Sequence, residues 1–142
     1  MATDPITALI EVAGVFVNPH GPTTTFRTPP WAVFAVEGVV KRVLDLTDAH
    51  IVAELDTSVA ELSGDWRFSQ QRYLDGEGPI PPTQLLGKAA YESDRAQGIR
   101  YFSAKNLGHG LGFAIFPDRL TTVEASYLEV FDPHGFIKQR LP

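Results

Sequence analysis

Short apolar runs rich in β-branched and aromatic residues recur in the second half of the chain, and they predict β-strands. Two of them, Ile99–Phe102 and Phe113–Phe116, flank a polar, glycine-rich loop. This pattern is typical of a β-hairpin with a long connection. Thr122–Phe131 alternates apolar and polar positions and predicts another strand, and Phe136–Leu141 predicts a last one.

Helical periodicity marks the start of the chain. Asp4 suits an N-cap and Pro5 the first helical position, so we predict a helix that runs to Glu11 or a little beyond. Three further helical segments are predicted. The first is capped by Thr47 or Asp48 and runs to Leu55, and the second is a short piece within Asp56–Arg67 that Trp66 anchors on the core. The third is an amphipathic helix that begins at Thr83 and ends before Gly98, which serves as its C-terminal cap.

Two more strands are predicted at Trp31–Val36 and Val39–Leu46, with a turn at Glu37 and Gly38 between them. Asn18–Pro30 contains several prolines and predicts a loop without regular structure. The elements together indicate one α+β domain over residues 1–142, with a mixed β-sheet core and flanking helices.

Composition narrows the classes of function. The chain has 142 residues, 44% of them hydrophobic, enough for one domain with a real core. There is no cysteine, which excludes disulfides and thiolate catalysis and favours a cytoplasmic location. The net charge of −5 and the scattered basic residues argue against nucleic-acid binding. The histidines lack metal-ligand spacing, and the sequence shows neither a membrane span nor a secretory signal.

The polar residues next to the apolar runs are the candidates for chemistry. Glu11 near a helix end is ordinarily solvated, and Ser103 after a strand is ordinarily a turn residue. Glu129 and Asp132 offer a carboxylate pair for acid–base work, although a solvated strand edge explains them as well. The glycines of Gly108–Gly112 precede a strand instead of opening a helix, so they do not form a dinucleotide-binding fingerprint.

The order of these segments resembles the RES-domain family, which is named for an Arg, a Glu and a Ser. The matching pieces cover nearly the whole chain: Thr7–Val12 for the helix with the Glu, Pro30-Trp31 and Val43–Asp48 for central strands, Thr83–Ala90 for a helix, Gly98–Ser103 for the strand that ends in the Ser, and Phe113–Pro117 and Leu128–Pro133 for closing strands.

The resemblance implies a variant of the ADP-ribosyltransferase fold and an activity that destroys NAD. Members of the family resembled are toxins of toxin–antitoxin pairs, which cleave NAD by hydrolysis or phosphorolysis with loss of nicotinamide. Carried over by position, Glu11 stabilises the oxocarbenium-like sugar and Ser103 holds the ribose or a phosphate oxygen. Lys105 and Arg27 are the implied cofactor-binding residues, which meet the pyrophosphate of NAD as substrate. No metal or separate cofactor is implied.

The chain departs from the family pattern at its start. The family's Arg lies upstream of the Glu on an early strand, and only ten residues precede Glu11. We therefore expect an N-terminally truncated version of the fold with an open sheet edge. Three explanations stay open: a misassigned start, strands supplied by a partner or second copy, or a remnant without activity. The first hypothesis is thus an NAD-cleaving enzyme with an antitoxin partner, and the alternative is a non-catalytic protein that acts through oligomerisation or partner binding.

Overall fold

The structure is a computed structural model that describes residues 1–13, 15–18, 21–24, 34–64, 67–106 and 110–142. Its α-helices are α1 (Pro5–Ala13), α2 (Ala49–Glu54), α3 (Val59–Leu62), α4 (Arg67–Leu74) and α5 (Pro82–Glu92), and a 3₁₀ helix spans Pro117–Arg119. Its strands are β1 (Val15–Asn18), β2 (Gly21–Thr24), β3 (Ala35–Val39), β4 (Val43–Asp45), β5 (Gly98–Phe102), β6 (Leu111–Ile115), β7 (Tyr127–Phe131) and β8 (Arg140–Leu141).

The described strands form three hydrogen-bonded sheets. β4 pairs parallel with β5, and β5 pairs antiparallel with β6, so the sheet β4–β5–β6 is mixed as predicted. The second sheet, β3–β7–β8, is antiparallel, and β1 and β2 form a hairpin. The α+β class is therefore confirmed. The strands divide among separate sheets because β3 pairs with β7, far away in the chain, and not with β4.

Helix α1 begins as the sequence predicts. The Asp4 carboxylate accepts the N–H of Thr7 at 2.8 Å, which satisfies one of the free donors at the start of a helix. Residues 1–3 lie along β6, where Thr3 N–H donates to the carbonyl of Leu111 at 3.0 Å and Phe113 N–H donates to that of Met1 at 2.8 Å. α1 also contacts β1 and β6, so the helix lies next to the β6 edge of the mixed sheet.

The hydrophobic core lies between the mixed sheet and helices of the segment that connects β4 to β5. Leu46, Val52, Ala90 and Ile99 are buried together, and partly buried apolar side chains surround them, namely Leu44, Leu62, Leu86, Tyr101 and Phe116. Ile99 is central because β5 is the middle strand, covered by α5 on one face. This core fixes the position of β5, the strand that Ser103 directly follows.

Two glycines that the sequence marks as breaks lie inside strands instead. Glu37 and Gly38 belong to β3, so the predicted turn is wrong. A Cβ on Gly38 would collide with the backbone of Leu128 on β7. Gly98 does not end a helix, because α5 stops at Glu92 and Gly98 opens β5. The local glycine signal was overridden at both positions by strand pairing, which needs close backbone approach.

Other predicted boundaries also change. Of the strand predicted at Val39–Leu46, Val39 ends β3 and Val43–Asp45 form β4. The strand predicted at Thr122–Phe131 shortens to β7, because residues 122–125 form a turn. Only two residues of Phe136–Leu141 are in a strand. Within Asn18–Pro30, residues 21–24 form β2, so the predicted loop is wrong there. Trp31 and Trp66 lie outside the described residues.

A fully buried glutamine joins the two larger sheets at the start of β5. The Gln97 side-chain oxygen accepts the N–H of Lys41 at 3.0 Å and the hydroxyl of Ser126 at 2.8 Å. Its amide nitrogen donates to the carbonyl of Arg119 at 3.1 Å and to the carboxylate of Glu124 at 2.5 Å. These five residues are called the Gln97 cluster below. The cluster connects the loop before β4 with the turn that leads into β7.

Candidate functional site

Glu11 and Ser103 lie 92 positions apart in the chain and meet at the other end of β5. The hydroxyl of Ser103 donates a hydrogen bond of 2.5 Å to Oε1 of Glu11. A bond from a hydroxyl to a carboxylate of this length belongs to the strong, charge-assisted class. The two residues that the resemblance names as catalytic are therefore in direct contact, and their roles stay predictions.

Ser103 has no exposed surface, and the protein uses its one donor proton and one of its two acceptor lone pairs. Its single proton goes to Glu11, and its oxygen accepts the N–H of Asn106 at 3.0 Å. Its own N–H donates to the carbonyl of Gly110 at 2.8 Å. Because a serine hydroxyl has one donor proton, this geometry makes Ser103 a support for the Glu11 carboxylate and leaves no proton for a substrate oxygen.

A second contact fixes the same helix to the same loop. Thr7 lies one turn before Glu11 and is fully buried. Its hydroxyl donates to Asp4 at 2.6 Å and accepts from the side-chain amide of Asn106 at 2.9 Å. A Cβ on Gly110 would lie 2.5 Å from the Thr7 hydroxyl, so this position requires glycine. The loop after β5 therefore forms hydrogen bonds to two successive turns of α1, at Thr7 and at Glu11, and these bonds orient the Glu11 carboxylate.

Glu11 lines a cleft of about 500 Å³. That volume is within the usual range for small-molecule sites. The walls come from α3, α4, α5, β5 and β6 and from the segments next to them. The other lining residues are Leu46, Val59, Leu62, Ser63, Gly64, Gln70, Thr83, Leu86, Gly87, Ile99, Tyr101, Phe102, Ala104 and Ala114. Among these described lining residues, Glu11 is the one with a formal charge. The site is thus a carboxylate at the side of a largely apolar cleft.

Tyr101 is a lining residue that the sequence analysis did not select. It lies two positions before Ser103, on the face of β5 that also carries Ile99. Its ring packs over Gly112 on β6, where a Cβ would lie 2.6 Å from the ring. Burial, and then the charge of Glu11, raise the pKa of the Tyr101 phenol above its ordinary value of 10.0. The phenol is therefore neutral at physiological pH and can donate a hydrogen bond in the cleft.

The two predicted pyrophosphate contacts have different outcomes. Lys105 lies beside the site, but its ammonium donates to the main-chain carbonyl of Glu11 at 2.6 Å, and it is not among the lining residues. A lysine near the end of α1 is favoured there by the helix dipole. Arg27 lies outside the described residues, as does His109.

The carboxylates of the β7 region take structural roles. Glu129 faces Arg140 at 3.4 Å across the β7–β8 pair. Asp132 accepts the N–H groups of Ile137 and His134, and these bonds lower the pKa of its carboxyl. Each carboxylate thus has a structural partner, which argues against an acid–base pair. The strand edge expected from the sequence is wrong, because β7 is the middle strand of the β3–β7–β8 sheet.

No group of three or more His, Asp or Glu residues capable of holding a metal exists in the described ranges. Within the same ranges, no helix combines the length and the apolar character needed to cross a membrane.

Three residues of the site were missed from the sequence, namely Thr7, Tyr101 and Asn106. The signals existed in part. Thr7 precedes Glu11 by four positions and so shares its helix face, and Tyr101 precedes Ser103 by two and so shares its strand face. Asn106 carried no such signal, because its contact with Thr7 depends on how the loop folds back on α1.

The fold and the site define an α+β domain with a supported carboxylate in an apolar cleft. The sequence model of the RES domain matches residues 1–134, and the chain therefore belongs to the RES-domain family. Membership supports a toxin-like, NAD-related function in general terms. No curated protein and no solved structure matches the chain significantly.

Proposed function

We propose that this protein cleaves NAD at the bond between nicotinamide and ribose, as a glycohydrolase or a phosphorylase. The observation that carries the proposal is the Glu11 carboxylate, which lines the cleft and is held by the buried Ser103 hydroxyl at 2.5 Å. Family membership gives the class of substrate. Nicotinamide in NAD is a cationic aromatic ring, and a carboxylate among apolar walls is complementary to such a group.

The reaction needs a negative group next to the sugar. The bond between C1′ and the pyridine nitrogen breaks, and its electron pair leaves with neutral nicotinamide. The positive charge then moves to the ribose, where it is shared between C1′ and the ring oxygen. Glu11 stabilises this oxocarbenium-like state more than the ground state, in which the charge lies on the pyridine ring. An oxygen of water or phosphate then bonds to C1′. When water is the acceptor, one of its protons stays on the new hydroxyl and the other is released to solvent.

The residues around Glu11 supply orientation. Ser103 and Thr7 are both buried and hydrogen-bonded to the loop after β5, so the carboxylate does not have to be ordered when the substrate enters. Tyr101 offers a neutral phenol in the same cleft. The Lys105 ammonium donates one of its three protons to the carbonyl of Glu11 and does not line the cleft, and we propose it as an outer contact of the diphosphate together with Arg27.

Release of nicotinamide on incubation with NAD tests the proposal. The wild type is assayed with and without phosphate, and the product distinguishes ADP-ribose from its phosphorylated form. Glu11→Gln removes the charge while it keeps the shape, and we expect kcat/KM to fall about 10²–10⁴-fold with the melting temperature nearly unchanged. Glu54→Gln, on the exposed side of α2, is the matched control. Intact NAD at high protein concentration in both buffers would refute the activity.

We further propose that the protein is the toxin of a type II toxin–antitoxin pair, on the ground of its family. Expression in a host cell is expected to deplete NAD and stop growth, and Glu11→Gln is expected to relieve both effects. Co-expression of the protein encoded next to it is expected to restore growth and to co-purify with the toxin. Growth arrest that persists in Glu11→Gln would separate toxicity from NAD cleavage.

A non-catalytic role in partner binding is the alternative, and one surface favours it. Several large apolar side chains around the β3–β7–β8 sheet are exposed, namely Phe34, Phe131, Phe136 and Ile137. Exposed apolar groups that gather in one region are typical of interaction surfaces. Light scattering of the purified protein tests this role: an oligomer that releases no nicotinamide supports it, and an active monomer contradicts it.

A further inference from the structure

Gly87 occupies a position where a helix ordinarily carries a side chain. It is the sixth of the eleven residues of α5, well away from either end. Glycine in a helix interior costs about 1 kcal/mol relative to alanine. Such a residue calls for a compensating reason, either a backbone conformation that other residues avoid or a close neighbour.

Neither reason applies at Gly87. A Cβ built there meets no atom within 4 Å, and its φ is not in the left-handed region. The other glycines near the site differ, because a Cβ on Gly98, Gly110 or Gly112 would lie within 2.8 Å of a neighbouring atom. Packing of the protein therefore explains those glycines and does not explain Gly87.

The space beside Gly87 belongs to the cleft. Gly87 lines it together with Leu86 and Thr83 of α5, and Ile99 and Glu11 line the same cleft. A larger side chain at position 87 would not disturb the core, but it would occupy volume that a ligand needs. The missing side chain at Gly87 is therefore useful only when a ligand occupies the cleft.

We propose that Gly87 is a specificity-determining residue that leaves room for the pyridine ring of the substrate. This inference rests on the proposed function and adds the part of NAD that the region recognises. The ring is favoured over the diphosphate because the described lining residues include Leu62, Leu86 and Ile99 but no Lys or Arg to pair with phosphate. Thr83, one turn before Gly87, adds a single hydroxyl to this wall. The ring is also directly bonded to the sugar carbon that the proposed mechanism places beside Glu11.

A size series at position 87 tests the inference. Gly87→Ala and Gly87→Leu are compared with the wild type and with Gln84→Leu, which adds the same side chain to an exposed position of α5. We measure thermal unfolding and kcat/KM for both NAD and nicotinamide mononucleotide, which lacks the adenosine half. Gly87→Ala is expected to unfold at a higher temperature than the wild type, since alanine favours the helix.

Gly87→Leu is expected to stay folded and to lose about 100-fold or more in kcat/KM on both substrates, since one misplaced methylene in a pocket already costs 10–200-fold. Gln84→Leu is expected to keep wild-type activity. If Gly87→Leu keeps wild-type kcat/KM while the wild type cleaves NAD, the inference fails and the proposed function stands. A loss confined to NAD would assign the region to the adenosine half and also overturn the inference. A wild type that does not cleave NAD removes the proposed function and the inference together.

Discussion

The two ends of β5 carry buried polar clusters that differ in their relation to solvent. Before the strand, Gln97 is fully buried, and its amide bonds to four other residues of the Gln97 cluster. After the strand, Ser103 is equally buried, but its bond leads to Glu11, which lines the cleft. Burial and hydrogen bonding therefore do not distinguish a structural cluster from a functional one. The surroundings of the terminal carboxylate do, because Glu124 is paired with Arg42 whereas Glu11 lines the cleft.

The Gln97 cluster gives the largest expected effect on stability. Gln97→Leu leaves the buried Ser126 hydroxyl without its acceptor and removes one partner each from the part-buried Lys41 N–H and the Glu124 carboxylate, which keeps its ion pair with Arg42. The unpaired hydroxyl costs about 1–3 kcal/mol and each lost part-buried bond about 0.5–1.5 kcal/mol, so we expect a loss of about 2–4 kcal/mol in the free energy of unfolding. Urea denaturation measures it. Gln84→Leu, at an exposed site, is the control and is expected to change little. A Gln97→Leu protein as stable as the wild type would show that the cluster is not structural.

Two buried serines compare the clusters directly. Ser103→Ala and Ser126→Ala each remove one hydroxyl with no exposed surface, which donates to Glu11 in the first case and to Gln97 in the second. Both are expected to lose about 1 kcal/mol of stability. Ser103→Ala is also expected to lower kcat on NAD about 100-fold with a smaller change in KM, because Glu11 is no longer oriented. Ser126→Ala is expected to keep kcat. Equal kcat values for the two variants would contradict the positioning role.

The same comparison shows which parts of the molecule could be predicted from sequence. The start of α1 was predicted from Asp4 and Pro5, because N-capping depends on residues adjacent in the chain. The meeting of Glu11 and Ser103 was predicted from the family resemblance. The burial of Gln97 was not predicted, because a glutamine between alanine and glycine gives no local signal. Its partners come from three other segments of the chain, so only the tertiary fold could reveal them.

Gly38 illustrates the opposite error, in which a local signal is present but misleading. Glycine after glutamate predicts a turn, yet β3 continues through Gly38 because its partner on β7, Leu128, approaches the backbone closely. The strand partner lies some ninety positions away, and no pattern near Gly38 indicates it. The glycine at position 38 is therefore explained by the close approach of β7 and not by a turn.

Tyr101 connects the core to the cleft and predicts an alkaline limit to stability. Burial and the charge of Glu11 raise the pKa of Tyr101, so its neutral form stabilises the folded state. This contribution is complete below pH 10 and is lost as the pH rises through the folded pKa. The melting temperature should decline more steeply between pH 9 and 12 for the wild type than for Tyr101→Phe. Identical pH profiles of unfolding would contradict the raised pKa.

The Tyr101 phenol also affects the proposed activity. We expect Tyr101→Phe to lower kcat/KM about tenfold through loss of one hydrogen bond.

Asp45, on the edge strand β4 of the mixed sheet, gives the smallest expected effect on stability, and this effect appears at acidic pH. Burial alone would raise the pKa of its carboxyl, but the hydroxyl and N–H of Thr47 and the charge of Arg100 outweigh it, so the pKa lies below 3.8. Stability from this carboxylate is present above pH 3.8 and is lost as the pH falls through the lower, folded value. Asp45→Asn is expected to cost about 1 kcal/mol at neutral pH. It should also weaken the acid dependence of unfolding between pH 2 and 4, while kcat on NAD stays at the wild-type level because Asp45 does not line the cleft. If Asp45→Asn instead lowered kcat as Ser103→Ala does, the distinction between the supporting sheet and the site would not hold.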